Sequence, residues 1–346
     1  MRKIIKAIFI QVFLSLVITY IVFLIFGSIV GAVIILFILL LLILIKPAFV
    51  ILNVFIRRTN WYKKRVSDSD KFRKRINTSL EICNLGSNSG KYAFTYEGSG
   101  LKGENWALGP QTLSYDFRVL KNYHSYLKEG ATVLIPLCPF SSCIKDFEDD
   151  SVNHKYYSFL HPILILNFSQ MTKEQVLRFV KTPFLVEPIK SMIRVFRDIV
   201  PVDKAKMTKE SLEIDANKFI NNWKDQFSIS NLDAPVSELN KESITYNTIL
   251  LTDMISFCLE RKLKPVIVIP PISTALTSKL SETFRENYIH SFINKGNSKQ
   301  IPFMNYMDDE RFIAEDLYFN SYFLNRNGRK LFTMRLLMDL SLVEKN

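Results

Sequence analysis

The sequence predicts an α/β domain built on a parallel sheet, preceded by a helical stretch that is embedded in a membrane. Two observations support this prediction. Almost every residue from Ile8 to Ile56 is apolar, and in the rest of the chain short apolar runs alternate with amphipathic stretches. Such alternation is typical of parallel sheets that helices cover on both faces. The roughly 270 residues after the apolar stretch suffice for one large domain.

The apolar stretch is long enough to cross a membrane twice. It contains one charged residue, Lys46, and it far exceeds the apolar region of a cleaved signal peptide. Because one span needs about 20 residues, we expect a transmembrane hairpin over residues 1–56. The predicted spans run from Ile5 to Phe26 and from Ile29 to Val50, divided at Gly27, Ser28 and Gly31.

Basic residues flank both predicted spans. Because Lys and Arg are retained on the cytoplasmic side, both ends of the hairpin and the soluble domain are expected in the cytoplasm. The competing interpretation is one tilted span followed by an interfacial amphipathic helix, which would place the domain outside. In either case the basic segment 57–77 is expected to lie against anionic lipid headgroups. The flanking residues are Arg2, Lys3 and Lys6 before the spans, and Arg57, Arg58, Lys63, Lys64 and Arg65 after them.

The formal net charge of +12 is concentrated beside the membrane. Residues 1–75 hold 13 Lys and Arg against two acidic residues, which leaves 32 basic and 31 acidic residues in the remainder. A domain so close to neutrality lacks the basic face that phosphate contacts require, so no nucleic acid is expected as a partner. The four cysteines suit free thiols in a reducing compartment. Cys138 and Cys143 are too widely spaced for a CxxC pair, so neither a metal nor another cofactor is expected.

Four apolar runs are predicted as strands and two amphipathic stretches as helices between them. The strands are Leu80–Gly86, Ala131–Cys138, Lys264–Pro271 and Ile301–Tyr306, and the helices are Gln111–Lys128 and Ile244–Lys262. Residues 147–240 interrupt this rhythm and are predicted as a helical insertion over the strand ends, within an α/β domain that spans 78–346. Ligands of parallel sheets bind beyond the carboxyl ends of the strands. Functional residues are therefore expected just after Leu85, Leu137, Ile269 and Tyr306.

A turn rich in Gly, Ser and Asn follows the first predicted strand, at Asn84–Gly90. Small residues there permit a sharp turn from strand to helix that presents a side chain together with backbone N–H groups. That is the geometry which a serine nucleophile and its oxyanion hole require. The alternative is an ordinary turn, in which the same residue types are common.

Three further segments indicate that this turn could be part of a functional site. Asn105–Leu113 precedes a helix that carries Tyr115–Phe117, a strand is followed by Phe140-Ser141, and Tyr318–Thr333 lies near the C-terminus. In this order and spacing the segments resemble the SGNH (GDSL-like) hydrolase and acyltransferase superfamily, especially membrane-anchored members associated with bacterial capsule and cell-envelope polysaccharides. The resemblance covers most of residues 78–340 outside the insertion. It implies a three-layer, flavodoxin-like parallel sheet of the SGNH type.

The nucleophile turn departs from the family pattern at its central position. The family carries a glycine, one residue and then the nucleophilic serine. The glycine corresponds to Gly86, whereas the serine position holds Asn88, with Ser87 and Ser89 on either side. The resemblance also implies oxyanion or pocket positions at Gly86, Gly109 and Ser141.

The C-terminal motif departs from the pattern as well. The family's aspartate and histidine correspond to Asn320 and Phe323, although the following Leu324-Asn325 and Gly328 are kept, and no histidine follows His290. Neither asparagine nor phenylalanine can take the proton of a serine, so the usual triad cannot assemble. An active site would need Ser87 or Ser89 as the nucleophile and a base from elsewhere in the chain. The candidate bases are His124, His154, His161 and the acidic run Asp308–Glu310.

Three interpretations stay open on the sequence alone. The first is an O-acyltransferase or esterase with a shifted site that acts on surface polysaccharide or its lipid-linked precursors. The second is a catalytically inactive relative that serves as a binding or scaffold component of a membrane polysaccharide assembly complex. The third is a membrane-tethered structural protein whose Gly and Asn positions only make turns. The partners implied by the first two are membrane lipid, a polysaccharide or lipid-linked glycan with an acyl donor, and membrane assembly proteins.

Overall fold

The computed structural model describes residues 14–21, 23–25, 27, 29–66, 69–73, 78–147, 149–198 and 207–344. The chain divides into two compact units. The first comprises Met1–Val66 and Glu174–Val202, and the second comprises Ser67–Lys173 and Asp203–Asn346. Residues 174–202, which the sequence groups with the insertion of the α/β domain, thus belong to the same unit as the apolar N-terminus.

The described elements follow one another as short strands separated by helices. The strands are β1 (Leu80–Asn84), β2 (Gly103–Asn105), β3 (Leu127–Pro136), β4 (Lys264–Ile269) and β5 (Phe303–Asn305). The helices are α1 (Leu14–Ile25), α2 (Ile29–Arg58), α3 (Asn60–Arg65), α4 (Asp70–Arg73), α5 (Asn88–Ala93), α6 (Leu113–Tyr123), α7 (Gln170–Lys181), α8 (Pro183–Val186), α9 (Pro188–Asp198), α10 (Lys209–Gln226), α11 (Glu238–Glu260), α12 (Thr274–Thr277), α13 (Glu282–Phe284), α14 (Ser291–Gly296) and α15 (Arg326–Asp339).

Helix α2 of the first unit is the one described helix that is long and apolar enough to cross a membrane. At 1.5 Å per residue, its 30 residues extend over about 45 Å, more than the roughly 30 Å of bilayer hydrocarbon. Helix α2 continues through Pro47 and past Val50, the predicted end of the second span, to Arg58. Helix α1 is apolar but shorter, and Gly27, with a φ of +61°, lies between the two helices.

Parts of the predicted hairpin lie outside the described residues. These are the start of the first span at Ile5, its end at Phe26, the dividing residue Ser28 and the flanking Arg2, Lys3 and Lys6. One candidate membrane helix is therefore established by length and composition.

Within the first unit, the chain from α7 to α9 packs against the C-terminal part of α2 and against α3. The ring of Tyr62 stacks on Phe179 with centroids 5.6 Å apart, and its hydroxyl donates to the Val180 carbonyl at 3.1 Å. The Phe184 backbone N–H donates to Asn53 Oδ1 at 3.2 Å. A small core of aromatic and aliphatic side chains thus joins two segments that are distant in sequence.

The second unit is built on a five-stranded parallel sheet in the order β2-β1-β3-β4-β5. The predicted α/β class and the four predicted strands are confirmed, with ends that differ by up to four residues. Strand β2 was not predicted, because its Gly-Glu-Asn sequence is half-buried and has no β-branched or aromatic residue. The order 2-1-3-4-5 is that of flavodoxin-like sheets.

The helices of the second unit form two groups, which the strand order explains. Crossovers between parallel strands are right-handed. The step from β1 to β2 runs in one direction across the sheet, and the steps from β2 through β3 and β4 to β5 run in the other. The crossover through α5 therefore lies on one face, and those through α6, α11 and α14 lie on the other. The helix contacts agree, because α11 packs on α6 and α14, whereas α5 packs on α15. The sheet is the middle layer of three.

Candidate functional site

The predicted turn lies between β1 and β3, the neighbouring strands whose onward connections run in opposite directions across the sheet. Gly86 follows β1, and a Cβ built on it would come within 3.2 Å of Pro136 Cγ at the end of β3. Its φ of +107° lies in the left-handed region that favours glycine. In open α/β sheets, ligands bind at such a change of strand order, so the sequence-predicted residues are at the expected edge.

A buried carboxylate holds this turn. The Gly86 N–H donates to Asp116 Oδ1 at 2.7 Å, and the Gln111 side-chain amide donates to the same oxygen and to the Gly86 carbonyl. Asp116 is 4% exposed. Burial raises the pKa of its carboxyl to about 7, although the bonds from Gly86 and Gln111 act in the opposite direction. The turn is therefore held by a hydrogen bond to the buried carboxyl group of Asp116 on α6.

The three residues at the nucleophile position have different surroundings. Ser87 Oγ accepts a hydrogen bond from the Gln111 backbone N–H at 3.0 Å, which links the turn to the loop before α6. The Asn88 carboxamide lies so close to Gly109 that a Cβ built there would overlap its oxygen. Ser89 lines a small cavity at the strand ends. Among the described residues, no hydrogen bond joins Ser87 or Ser89 to a histidine or a carboxylate.

Asn320 and Phe323, the two positions that the resemblance aligns with an aspartate and a histidine, lie in a local turn. Asn320 Oδ1 accepts from the backbone N–H groups of Phe323 at 2.7 Å and of Tyr322 at 3.1 Å. The Phe323 ring packs against Tyr92, with centroids 5.1 Å apart. An aromatic ring thus stands where the resemblance expects an imidazole.

Helix α10 of the insertion covers this end of the sheet. Trp223 packs edge-on against Tyr322, with centroids 5.0 Å apart, and lies 4.6 Å from the ring of Phe140. Asp215 Oδ2 accepts from the Ser321 N–H at 2.8 Å and from its hydroxyl at 2.7 Å. These contacts leave a cavity of about 10 Å³ at the strand ends, room for about one water molecule.

Ser141 supports the loop after β3. Its hydroxyl accepts from the Cys138 N–H at 2.8 Å and donates to Cys138 Sγ at 3.3 Å. Burial raises the pKa of the neighbouring Tyr322 hydroxyl well above its usual value. The Cys138 thiol acts in the same direction and Ser89 in the opposite one. The polar groups that face the cavity are therefore a hydroxyl, a thiol and a phenol.

The histidines considered as substitute bases are engaged elsewhere. His124 Nδ1 lies 2.9 Å from the Lys121 carbonyl, and His154 packs edge-on against Tyr157. His161 is exposed, and its backbone N–H donates to Asn122 Oδ1. In the acidic run, Asp308 pairs with Arg285 and Asp309 with Arg311. Across the described ranges, no three His, Cys, Asp or Glu side chains come together in a way that could hold a metal ion.

The structure adds a buried lysine that the sequence analysis missed. Lys155 is 4% exposed, and its ammonium group donates to the Pro110 carbonyl. Burial lowers the pKa of Lys155 to about 7, with a smaller contribution from Lys91. The adjacent Tyr156 hydroxyl donates to Gln111 Oε1 at 3.0 Å. The only sequence signal was a lysine within the aromatic stretch His154–Phe159.

A second concavity runs beside the edge strand β2. It is an open groove of about 580 Å³ with charged and polar side chains of both signs. It is more open than the enclosed apolar pockets that usually hold small molecules. The lining includes Lys71, Lys91, Glu97, Glu104, Asn105 and Arg329.

No family model matches the chain, and comparison with curated proteins finds no similar sequence.

Proposed function

We propose that this chain is a membrane-anchored, non-hydrolytic protein of the SGNH-like type. We assign it the role of a binding or scaffold component in the assembly of bacterial capsule or cell-envelope polysaccharide. The polysaccharide role rests on the resemblance of residues 84–90, 105–123 and 318–333 to that group. The choice of the non-hydrolytic form rests on the geometry of the site.

The observation that carries the proposal is a well-supported turn at Gly86 that lacks both a nucleophile and a base. The contacts of Gly86 with Asp116 and Gln111 hold the backbone of the turn that the resemblance aligns with the nucleophile turn. The side chain at its centre is Asn88, which is not a nucleophile, and Phe323 cannot accept a proton. Loss of both reacting groups beside an intact scaffold favours binding over catalysis.

The closed strand ends support the same conclusion. The Trp223 and Tyr322 rings and the tether between Asp215 and Ser321 leave a cavity of about 10 Å³, too small for an acyl group or a sugar. A polymer would instead contact the open groove beside β2, where Lys91 and Arg329 offer hydrogen-bond donors. Carbohydrate hydroxyls and carboxylates pair readily with such groups.

The proposed arrangement in the membrane is a two-span hairpin with the second unit in the cytoplasm. Helix α1 and helix α2 are both apolar, and Gly27 lies between them. The basic residues that follow α2 favour retention of that end on the cytoplasmic side. A cysteine placed at the exposed Glu260 tests the orientation. Labelling of this cysteine by an impermeant maleimide only after permeabilisation supports the arrangement, and labelling in intact cells contradicts it.

Ester hydrolysis tests the non-hydrolytic assignment. The full chain in detergent micelles is assayed with an activated acetyl ester, beside matched Ser87→Ala and Ser89→Ala variants. We expect the three proteins to show the same background rate, because neither serine has a base. Turnover that disappears in one of the two variants would establish a serine enzyme and overturn the proposal.

Retention of polysaccharide tests the binding role. Immobilised full chain is challenged with purified cell-envelope polysaccharide, with Lys91→Glu as the groove variant and Lys262→Glu, an exposed lysine on the loop before β4, as the charge-matched control. We expect weaker retention only for Lys91→Glu. Equal retention by the two variants would remove the groove from the proposal.

A further inference from the structure

Helix α9 has an apolar stripe that no other described part of the first unit covers. Ile189, Met192 and Ile193 recur at the spacing of one helical face, and Ile189 and Ile193 are 75% and 47% exposed. Leu185 and Val186 of α8 are exposed as well. Contiguous exposed apolar side chains of this kind mark an interaction surface.

The opposite side of α9 faces its own unit. Ser191 is fully buried, and its hydroxyl donates to the Pro183 carbonyl at 3.4 Å. Glu187, between α8 and α9, pairs with Arg65 of α3. Because this side is already packed, the exposed stripe is the side left for an external partner.

The path of the chain places α8 beside the apolar part of α2. The Arg57 guanidinium donates to the Lys181 carbonyl, whereas the Phe184 N–H donates to Asn53 and the Phe184 ring packs on Phe49 at 5.5 Å. Asn53 and Phe49 precede Arg57 by four and eight residues, which is about 6 and 12 Å along a helix axis. The chain therefore descends from the basic end of α2 towards its membrane-spanning part.

The charge of the first unit complements an anionic surface. Its described residues include 11 Lys and Arg against three acidic residues. On α9, the exposed Lys190 and Arg194 are four residues apart and lie next to the apolar stripe. Amphipathic helices with this combination lie in the membrane interface, with the apolar face about 5–10 Å below the headgroups. That depth matches the descent along α2.

We propose that α8 and α9 form an interfacial membrane-binding element. Leu185, Val186, Ile189 and Ile193 insert at the boundary between headgroups and acyl chains, and Lys190 and Arg194 contact anionic phosphates. The partner is the bilayer that α2 crosses. The amphipathic element thus adds to the membrane contact of α2 from a segment about 130 residues away in sequence.

Photo-cross-linking of the unmodified full chain tests this proposal. The chain is reconstituted in vesicles of phosphatidylcholine and phosphatidylglycerol that contain a phospholipid with a diazirine near the carbonyl end of its acyl chain. We expect adducts on α2 and on the tryptic peptide 182–190. The reference is peptide 242–261 of α11, which carries the exposed Ile249 and is expected to stay at background. Adducts on α2 with peptide 182–190 at background would overturn the proposal.

Matched variants distinguish insertion of α8 and α9 from nonspecific contact of exposed apolar side chains with lipid. Leu185→Glu is expected to lower the yield on peptide 182–190 by about fivefold, since a charge disfavours insertion. Leu239→Glu, at a similarly exposed leucine on α11, should leave that yield unchanged. Lys190→Gln with Arg194→Gln removes two cleavage sites, so the adduct is measured on the tryptic peptide 182–197. Its yield should fall in anionic vesicles but not in pure phosphatidylcholine. Equal yields for Leu185→Glu and Leu239→Glu would contradict insertion.

Discussion

Replacement of Asp116 by asparagine should remove a pH dependence of stability that the buried carboxyl creates. Asp116 lies beneath the turn after β1, where it accepts from the N–H of Gly86 and from Gln111. Asparagine has nearly the same shape and keeps an oxygen for the Gly86 N–H, but it cannot ionise. Asp116→Asn therefore isolates the ionisation of this group from its packing.

The sign follows from the raised pKa. The folded carboxyl has a pKa of about 7, against 3.8 for an ordinary aspartate, so the folded state binds more protons between these values. Stability is then full below about pH 4 and falls as the pH rises through 7. The whole shift corresponds to about 4 kcal/mol, of which about 2.5 kcal/mol is lost between pH 5 and pH 8.

Urea unfolding of the full chain in mild detergent measures this effect. Trp106 is fully buried in the second unit, so a change in tryptophan emission reports its unfolding. We expect the free energy of unfolding of the native chain, minus that of Asp116→Asn, to decrease by about 2.5 kcal/mol from pH 5 to pH 8. A difference that does not change with pH would show that the Asp116 carboxyl titrates like an ordinary aspartate, and that its pKa is not raised.

Three further predictions concern the surroundings of this turn. Because the pKa of Lys155 is lowered, the native chain should gain about 1.5 kcal/mol of stability from pH 7 to pH 8.5, and Lys155→Met should remove this gain. Urea unfolding of both proteins at the two pH values measures the gain, and an equal gain in the two proteins would contradict the prediction. Gly109→Ala should destabilise the chain by about 2 kcal/mol through overlap with Asn88, and thermal unfolding should show recovery in the double variant with Asn88→Ala. Asp215→Asn should loosen α10, at a cost of about 1–2 kcal/mol, because its carboxylate accepts both donors of Ser321. Faster hydrogen exchange over residues 209–226 is the expected result, and unchanged exchange the contrary one.

The sequence was sufficient to predict the strands that carry an apolar signal. Most residues of β1, β3 and β4 are buried, and their composition reflects this. Strand β5 is half-buried, but its Phe303 and Met304 give it an apolar signal as well. Strand β2 escaped prediction because Gly103–Asn105 needs only backbone pairing with β1 and has no β-branched or aromatic residue. Gly, Glu and Asn are not enriched in strands, so this segment carries no side-chain signal for one.

The candidate site was predictable in position but not in its supporting contacts. The turn at Gly86 is visible because a tight strand-to-helix turn needs small residues. The carboxylate of Asp116 and the ammonium group of Lys155 are buried by packing between segments 30 or more residues apart, which no local pattern records. The same holds for the tether between Asp215 and Ser321, which depends on how the insertion folds over the sheet.

The sequence did not predict that the helical insertion is divided between the two units. Residues 174–198 and α10 read alike as amphipathic helices between prolines, yet they belong to different units. Tertiary contacts, such as those of Asn53 with Phe184 and of Tyr62 with Val180, assign the first part to the unit of α2. Helical periodicity identifies a buried face but not the surface that buries it.

Covalent labelling with a fluorophosphonate shows whether Ser87 or Ser89 is an activated nucleophile. Such probes react with serines that a neighbouring base activates and leave unactivated hydroxyls unmodified. The full chain is incubated with the probe, and its intact mass and tryptic peptides are measured beside Ser87→Ala and Ser89→Ala. No adduct is expected on the tryptic peptide 76–91, which carries both serines. A stoichiometric adduct on Ser87 or Ser89 that the matching variant abolishes would contradict this expectation.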